Sequence, residues 1–420
     1  MASMMEMALA PWARRLRERA NLPVRLRWGE DGASSLALGD FAQPRVDIRV
    51  RDAQALKLLI NPSLESLGEA YVEGLIDVEG ELRDVLGVAR RLAETARPAG
   101  GLLGRIQRHF QHTRQGDRQA IAYHYDVSNA FYAQWLDPAM VYSCAYFEQG
   151  DEPLAEAQQK KIDHILTKLR LQPGQRLLDI GCGWGALVLR AAQHWGARCV
   201  GITLSQQQAE LASERVRAAG LQDRIEIRLQ DYRDVSDDPF DRITSVGMFE
   251  HVGVRHLAAY FARIRELLQP EGWALNHGIT STDPHDGETP LGGGGFIERY
   301  VFPQGELPHI GTVLRTLQEG GLEAFDVENL RRHYARTLTC WSEAFEARAA
   351  QIRPLVSEKQ WRIWRVYLMG CAWAFEQDDI ALYQVLCRPA GRSAGELPWS
   401  RSWIDRKSTR LNSSHITISY

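Results

Sequence analysis

Cysteine is thinly spread in this chain. Cys144, Cys182, Cys199, Cys340, Cys371 and Cys387 stand apart among 420 residues, with no C-x-x-C pair. Such scatter argues against a zinc site or any other metal ligand set, and against a disulfide framework; reduced thiols fit the cytosol. No apolar run approaches the roughly 18 to 20 residues that a membrane-spanning helix needs, so the chain is expected not to span a bilayer. Charge of one sign is also lacking: the formal net charge is −3 with 25% of residues charged, which gives no general reason to expect nucleic-acid binding. The first twenty residues carry Arg14, Arg15, Arg17 and Arg19 but neither a continuous hydrophobic segment nor a small-residue cleavage site, and a cytosolic protein is the reading.

What is present is a full core and one conspicuous loop. With 45% hydrophobic residues, the chain can fold as two domains. Residues Leu177 to Gly185 run Leu-Leu-Asp-Ile-Gly-Cys-Gly-Trp-Gly, an apolar strand that breaks into alternate glycines. The helical spacing of Leu187, Val188, Ala191, Ala192 and Trp195 follows. This is the first strand, loop and helix of a doubly wound sheet with a nucleotide-type site at its strand end. The dinucleotide fingerprint G-x-G-x-x-G is absent. Gly181, Gly183 and Gly185 follow Asp179, whose carboxylate would repel a pyrophosphate but suit a cationic ligand. The next strand, 198–202, ends in Thr203, Leu204 and Ser205 rather than the acid that holds an NAD ribose. S-adenosylmethionine, with an ammonium, a sulfonium and no phosphate, meets these conditions.

Around that loop the patterning predicts an α/β chain. Strands at 24–28 and 46–50 alternate with helical patterns at 64–71 and 82–92, a small N-terminal α+β domain. A Pro/Gly stretch at 98–104 leads into Arg105, Arg108, His109, His112 and Arg114, a boundary and basic linker. A helix carrying Ile162, Ile165, Leu166 and Leu169 stops at Pro173-Gly174. Ser205 caps a helix through Ala219. Strands are expected at 225–229, ending at Asp231, and at 240–248, followed by an amphipathic helix at 257–268. Pro270-Glu271-Gly272 then turns into a strand at 273–280. A helix at 360–375 and a strand at 380–387 complete a mainly parallel sheet with right-handed crossovers. The expected division is 1–115 for the accessory domain and linker, 116–390 for the cofactor domain and 391–420 for a tail. Residues 405–420 change abruptly to Arg, Lys, Ser, Thr and Asn; 405–415 resemble a translated sequencing adapter and are set aside as non-native.

Further segments carry a specific likeness: Tyr123-His124-Tyr125-Asp126 through Phe131-Tyr132; Tyr142-Ser143-Cys144-Ala145-Tyr146-Phe147; Gly247-Met248-Phe249-Glu250-His251-Val252-Gly253; and Asn276-His277-Gly278-Ile279. With the glycine loop they resemble the cyclopropane-fatty-acyl-phospholipid synthases, over about 120–390. Leu67-Gly68-Glu69-Ala70-Tyr71 and Asp77-Val78-Glu79-Gly80 resemble that family's N-terminal domain. The resemblance implies the class I methyltransferase fold, Rossmann-like and doubly wound, with a mainly parallel seven-stranded sheet. It implies methyl transfer from S-adenosylmethionine to the cis double bond of a phospholipid acyl chain: the alkene attacks the sulfonium methyl, a carbocation forms, and loss of one methyl proton closes the ring. The family's base is a bound bicarbonate, and the matching positions are Cys144, Glu250, His277, Ile279 and Tyr334. Glu250 would accept its hydroxyl while His277 and Tyr334 donate to its oxygens, and the anion would stabilise nearby positive charge far better in a dry pocket than in water. For the cofactor the pattern carries over to Tyr142, Ser143, Asp179, Gly181, Gly183, Thr203, Leu204, Gln208, Asp231 and Tyr232. Gln208 replaces an acidic ribose partner, and Asp231 and Tyr232 frame the adenine. Implied partners are an unsaturated phospholipid at the inner membrane face, reached peripherally through the basic segment, and a second copy in a homodimer.

Taken singly these residues have plainer readings. Cys144 reads as a small buried hydrophobe, Glu250-His251 as a helix start, His277 as a satisfied core histidine and Tyr334 as a surface residue. Only their joint occurrence makes a site. Phe296, Tyr300 and Phe302, with Trp361, Trp364, Tyr367 and Trp373, read as core before acyl channel, and Gly292 to Gly295 as a flexible loop. Alternatives that stay open are a methyl- or methylene-branching acyl methyltransferase, a small-molecule methyltransferase, and a non-catalytic lipid-binding module that kept the fold.

Overall fold

The computed structural model describes residues 2–29, 32–52, 54–95, 128–284, 293–303, 305–393 and 397–405. The Tyr123–Asp126 motif, the basic segment 105–114 and residues 406–420 lie outside them. The chain divides into two compact units that are discontinuous in sequence: Met1–Gln111 with Gly287–Gln304 and Leu338–Asp379, and His112–Asp286 with Gly305–Thr337 and Ile380–Tyr420. The segments at 287–304 and 338–379, expected within 116–390, thus group with the N-terminal residues.

The first unit contains a four-stranded sheet of order β2-β1-β3-β4, built from β1 (Val24–Trp28), β2 (Ser34–Ala37), β3 (Val46–Val50) and β4 (Ile76–Gly80). Its core draws on a helix, Ala2–Ala20, that the sequence pattern did not predict. Leu9, Trp12, Ala13, Leu16 and Ala20 recur on one face of it and are buried, a spacing that makes an apolar stripe despite Pro11. Ser63 and Ser66 form a reciprocal capping box at the start of helix Leu64–Val72, which satisfies backbone donors that would otherwise be left open. Gly293–Tyr300 is helical, not a loop. It packs closely on Leu64–Val72: a Cβ at Gly68 would stand 2.7 Å from the Phe296 ring. Phe296, Tyr300, Trp361, Trp364 and Tyr367 are buried in this unit.

The second unit holds the seven-stranded sheet, in the order β10-β11-β9-β8-β5-β6-β7. Its strands are β5 (Arg176–Ile180), β6 (Arg198–Thr203), β7 (Ile225–Leu229), β8 (Phe240–Val246), β9 (Leu268–Ser281), β10 (Leu322–Asn329) and β11 (Ile380–Pro389). Pairings from β7 through β9 are parallel, while β11 runs antiparallel to both β9 and β10. Apolar runs such as Leu177-Leu178 are buried because helices cover both faces of a parallel sheet. Ser205 accepts from the Gln208 N–H at the start of helix Gln206–Ala218, as its position before an amphipathic run requires. The turn expected at Pro270–Gly272 lies within β9 as an irregularity: Leu268 pairs with Phe240 and Trp273 with Arg242, and the intervening residues bulge. Strand β10 was not predicted.

Strand order reverses on either side of β5, which pairs with β6 and with β8. The carboxyl ends of these strands are therefore a topological switch point, where open α/β sheets bind ligands. Beyond β8 the chain enters a short 3₁₀ turn, Phe249–His251, seated directly on β9. A Cβ at Gly278 would fall 1.9 Å from Cε1 of Phe249, so only glycine admits that ring. Gly278→Ala is expected to destabilise the protein by about 1–3 kcal/mol, the usual cost of overpacking, read as a lower urea midpoint at unchanged slope; wild-type stability would show that the ring is not held there.

Candidate active site

The switch point opens as a cleft. Its floor is the glycine loop. Gly181, Gly183 and Gly185 have φ of +79°, +53° and +84°, left-handed values that glycine alone adopts freely. The N–H groups of Gly181 and Cys182 donate to Ile202 O at 3.0 and 2.9 Å. These amides knit β5 to β6 instead of cradling a phosphate.

Of the residues expected to hold cofactor, Tyr142, Ser143, Asp179, Gly181, Gly183, Thr203, Leu204, Gln208 and Tyr232 line the cleft. Asp231 does not: its carboxylate caps the 3₁₀ turn Tyr232–Asp234 and binds the Arg233 guanidinium, with the ion pair at 2.6 Å. Thr203 Oγ1 donates to Gln208 Oε1 at 2.8 Å and takes the Ser205 N–H, which fixes the amide at the end of β6. Asp179 is buried and accepts from Thr244 Oγ1 at 2.7 Å. Burial pushes its carboxyl up to about 6.

Several lining residues were not singled out from sequence, chiefly Trp184, Lys161, Gln230, Met248 and His251. Trp184 stands within the glycine loop and donates its indole N–H to Asn129 Oδ1 at 2.8 Å. Lys161 occupies the apolar stripe of helix Leu154–Lys168, between Ala157 and Ile165. A lysine on a core-facing stripe was the available signal for it.

Glu250, His277, Ile279, Cys144 and Tyr334 belong to a second constellation that meets the cleft through adjacent residues, Ser143 beside Cys144 and His251 beside Glu250. Glu250 Oε1 accepts the Ile279 N–H at 2.7 Å. Ile279 pairs with Leu382 on β11, whose carbonyl takes the Leu330 N–H. The Leu330 carbonyl in turn accepts from Tyr334 N and, at 3.9 Å, from Cys144 Sγ. One run of contacts thus ties Glu250, Ile279, Tyr334 and Cys144 together, and His277 stands two residues before Ile279 on β9. Tyr334 is 8% exposed, not a surface residue. Glu306 clamps the 3₁₀ turn, donating its N–H to Glu250 O and accepting that of Val254.

Two polar atoms in this constellation are buried without a partner among the described residues: Glu250 Oε2 and His277 Nε2. Gln384 Nε2 lies 3.2 Å from His277 Nδ1; with the amide donating in this contact, the ring proton is on Nε2. Burial, reinforced by Lys161 and Lys168, holds the imidazole far below its usual range, so it is neutral. Burial also raises the Cys144 thiol, which stays protonated. The Glu250 carboxyl is pushed up to about 7, again by burial, against the pull of the Ile279 N–H. An acid raised in the folded state stabilises the fold most at low pH, and that stability is lost as pH climbs from about 4.5 through 7. Glu250→Gln, which removes the buried ionisation, is therefore expected to raise the melting temperature more at pH 8 than at pH 5. Equal changes at both would show the carboxylate to be solvated.

The segment 112–385 matches the family model "Mycolic acid cyclopropane synthetase", and 12–97 matches that of a domain of unknown function. The chain is 44% identical over 383 residues, 91% of its length and 96% of the relative's, to a "Probable fatty acid methyltransferase" of Pseudomonas putida. It is 38% identical over 349 residues, 81% of its length and 87% of the relative's, to the cyclopropane-fatty-acyl-phospholipid synthase of Escherichia coli K12. The crystal structure of mycolic acid cyclopropane synthase CmaA1 complexed with SAH and CTAB superposes with a TM-score of 0.61 at 38% identity, covering 66% of this chain and 99% of that one. The expected class I methyltransferase fold is thereby borne out.

Proposed function

Because this chain belongs to the mycolic acid cyclopropane synthetase family, whose members transfer a methyl or methylene group from S-adenosylmethionine to lipid acyl chains, we propose that it converts cis double bonds of phospholipid acyl chains into cyclopropane rings with bicarbonate as base. The observation that carries the reading is the paired deficit of Glu250 Oε2 and His277 Nε2, a buried acceptor and a buried donor that the described residues leave unsatisfied. Unsatisfied buried groups cost about 1–3 kcal/mol each, and a small ion bearing both a hydroxyl and anionic oxygens answers both.

S-adenosylmethionine supplies the transferred carbon when bound, and bicarbonate supplies the base. The chain's own residues do the rest. Asp179 and the glycine loop would hold the cofactor at the end of β5, the carboxylate meeting a cationic group of the ligand where a dinucleotide fold has its phosphate cradle. Glu250, fixed through Oε1 by Ile279, offers Oε2 to a hydroxyl donor, and neutral His277 offers its Nε2–H to an oxygen. Tyr334 and Cys144, held to the Leu330 carbonyl, bound the same region. Burial keeps water away from an alkyl cation that water would quench.

A second reading is favoured by the Pseudomonas putida relative, which is named a probable fatty acid methyltransferase: the same cation could end as a methyl or methylene branch. Among the described residues no helix is long and apolar enough to cross a membrane, so the lipid is proposed to be met from the surface, through the basic segment 105–114.

Incubation with S-adenosylmethionine, bicarbonate and vesicles of cis-monounsaturated phospholipid, followed by mass spectrometry and proton NMR of the acyl chains, decides between them. Gain of one CH2 with upfield ring protons and loss of the olefin is expected. The same mass gain with olefinic protons retained, or with two hydrogens more, would establish branching. Glu250→Gln should lower turnover about 10²-fold or more while S-adenosylhomocysteine binding is kept; undiminished turnover would remove Glu250 from the mechanism.

A further inference from the structure

Lys161 is the charged group in the cleft that the mechanism above leaves unused. It is 2% exposed, lines the cleft, and donates from Nζ to Ser143 Oγ at 2.8 Å. Among the described residues no carboxylate stands within ion-pair distance of Nζ. The acids that face it are committed elsewhere: Asp137 takes the N–H groups of Ala139 and Val141 at 2.9 and 2.8 Å, and Asp179 takes the Thr244 hydroxyl. Its other titratable neighbours are uncharged: the Cys144 thiol is protonated and the His277 imidazole neutral. A buried ammonium bonded to a neutral hydroxyl is an expensive arrangement unless an anion completes it.

A cofactor bearing an ammonium and a sulfonium would be repelled by this lysine at either of those groups. It carries one anionic group, the carboxylate of its methionine moiety. We propose that Lys161 recognises that carboxylate, and that it thereby sets the direction in which the cofactor lies, carboxylate toward Lys161 and Ser143, ammonium toward Asp179. Ser143 acts in the same contact. Its oxygen accepts from Lys161, so its own proton is left to donate to the ligand. The two residues form a bidentate anion clamp whose charge is on the lysine. The inference rests on the reading of the cleft as an S-adenosylmethionine site.

The test compares S-adenosylhomocysteine with its decarboxylated analogue, which keeps the adenosine, the thioether and the amine, by titration calorimetry. Wild type is expected to favour the carboxylate-bearing ligand by about 30-fold or more, since losing one member of a buried charge pair is costly. Lys161→Met should bring the preference to within about threefold, chiefly by weakening the carboxylate ligand. Ser143→Ala, which keeps the charge, should retain most of the preference. A Lys161→Met protein that still discriminates, or one that weakens both ligands equally, overturns the proposal. The wild-type protein provides a check that does not depend on a variant folding. Burial holds the lysine down to about 8, so the preference should be full below that pH and fall as the free protein loses the proton above it. A ratio that stays flat between about pH 7 and 9 contradicts the assignment. No binding of S-adenosylhomocysteine at all would sink the reading of the cleft, and the clamp with it; binding without discrimination sinks the clamp alone.

Discussion

The contact of the Phe249 ring with the bare backbone of Gly278 fixes the rest of the site. It sets the 3₁₀ turn after β8 flat against β9, and that closeness lets the Ile279 amide capture one oxygen of Glu250 at 2.7 Å. The other oxygen is then held under protein cover, away from any partner among the described residues. A looser seat would let the carboxylate swing out to water and the pocket would lose its charge. Packing therefore comes first here, and the electrostatics follow from it.

The two halves of the site are complementary in kind. The cleft at the ends of β5, β6 and β8 is partly open, and Asp179 and Lys161 lie buried in its lining as groups of opposite sign. The Glu250–His277 constellation is buried, holds one acid poised near neutrality, and draws on β9 and the start of helix Arg331–Ala347. In such an environment an ion is worth far more to a forming cation than it would be in water. The constellation and the cleft adjoin through consecutive residues, 143 with 144 and 250 with 251; in the proposed mechanism, carbon delivered in one loses its proton in the other.

Much of this was legible in the sequence because the signals were local. Strand β5, its glycines, the Ser205 cap and the helix after it are written in neighbouring residues, and nine of the ten cofactor positions line the cleft. What was not legible depended on distant parts of the chain. Asp231 has the position of a ligand residue but is claimed by Arg233, two residues on. Gly293–Gly295 look like a loop until helix Leu64–Val72 is there to receive them. Strand β10, with its charged Glu323, Asp326 and Glu328, lacks an apolar alternation and owes its existence to pairing with β11. The burial of Tyr334 follows from the helix that β10 delivers. Lys161 was visible as a charge on an apolar stripe, but its meaning needed the cleft.

The central claim is that Glu250 Oε2 and His277 Nε2 share a small oxyanion. A crystal structure of the protein grown with bicarbonate, at a resolution that shows planar ions, tests it most directly. The account predicts one planar ion within hydrogen-bond distance of both atoms, replaced by water or lost in Glu250→Gln. Glu250 and His277 bonded directly to each other, or water there at saturating bicarbonate, would contradict it.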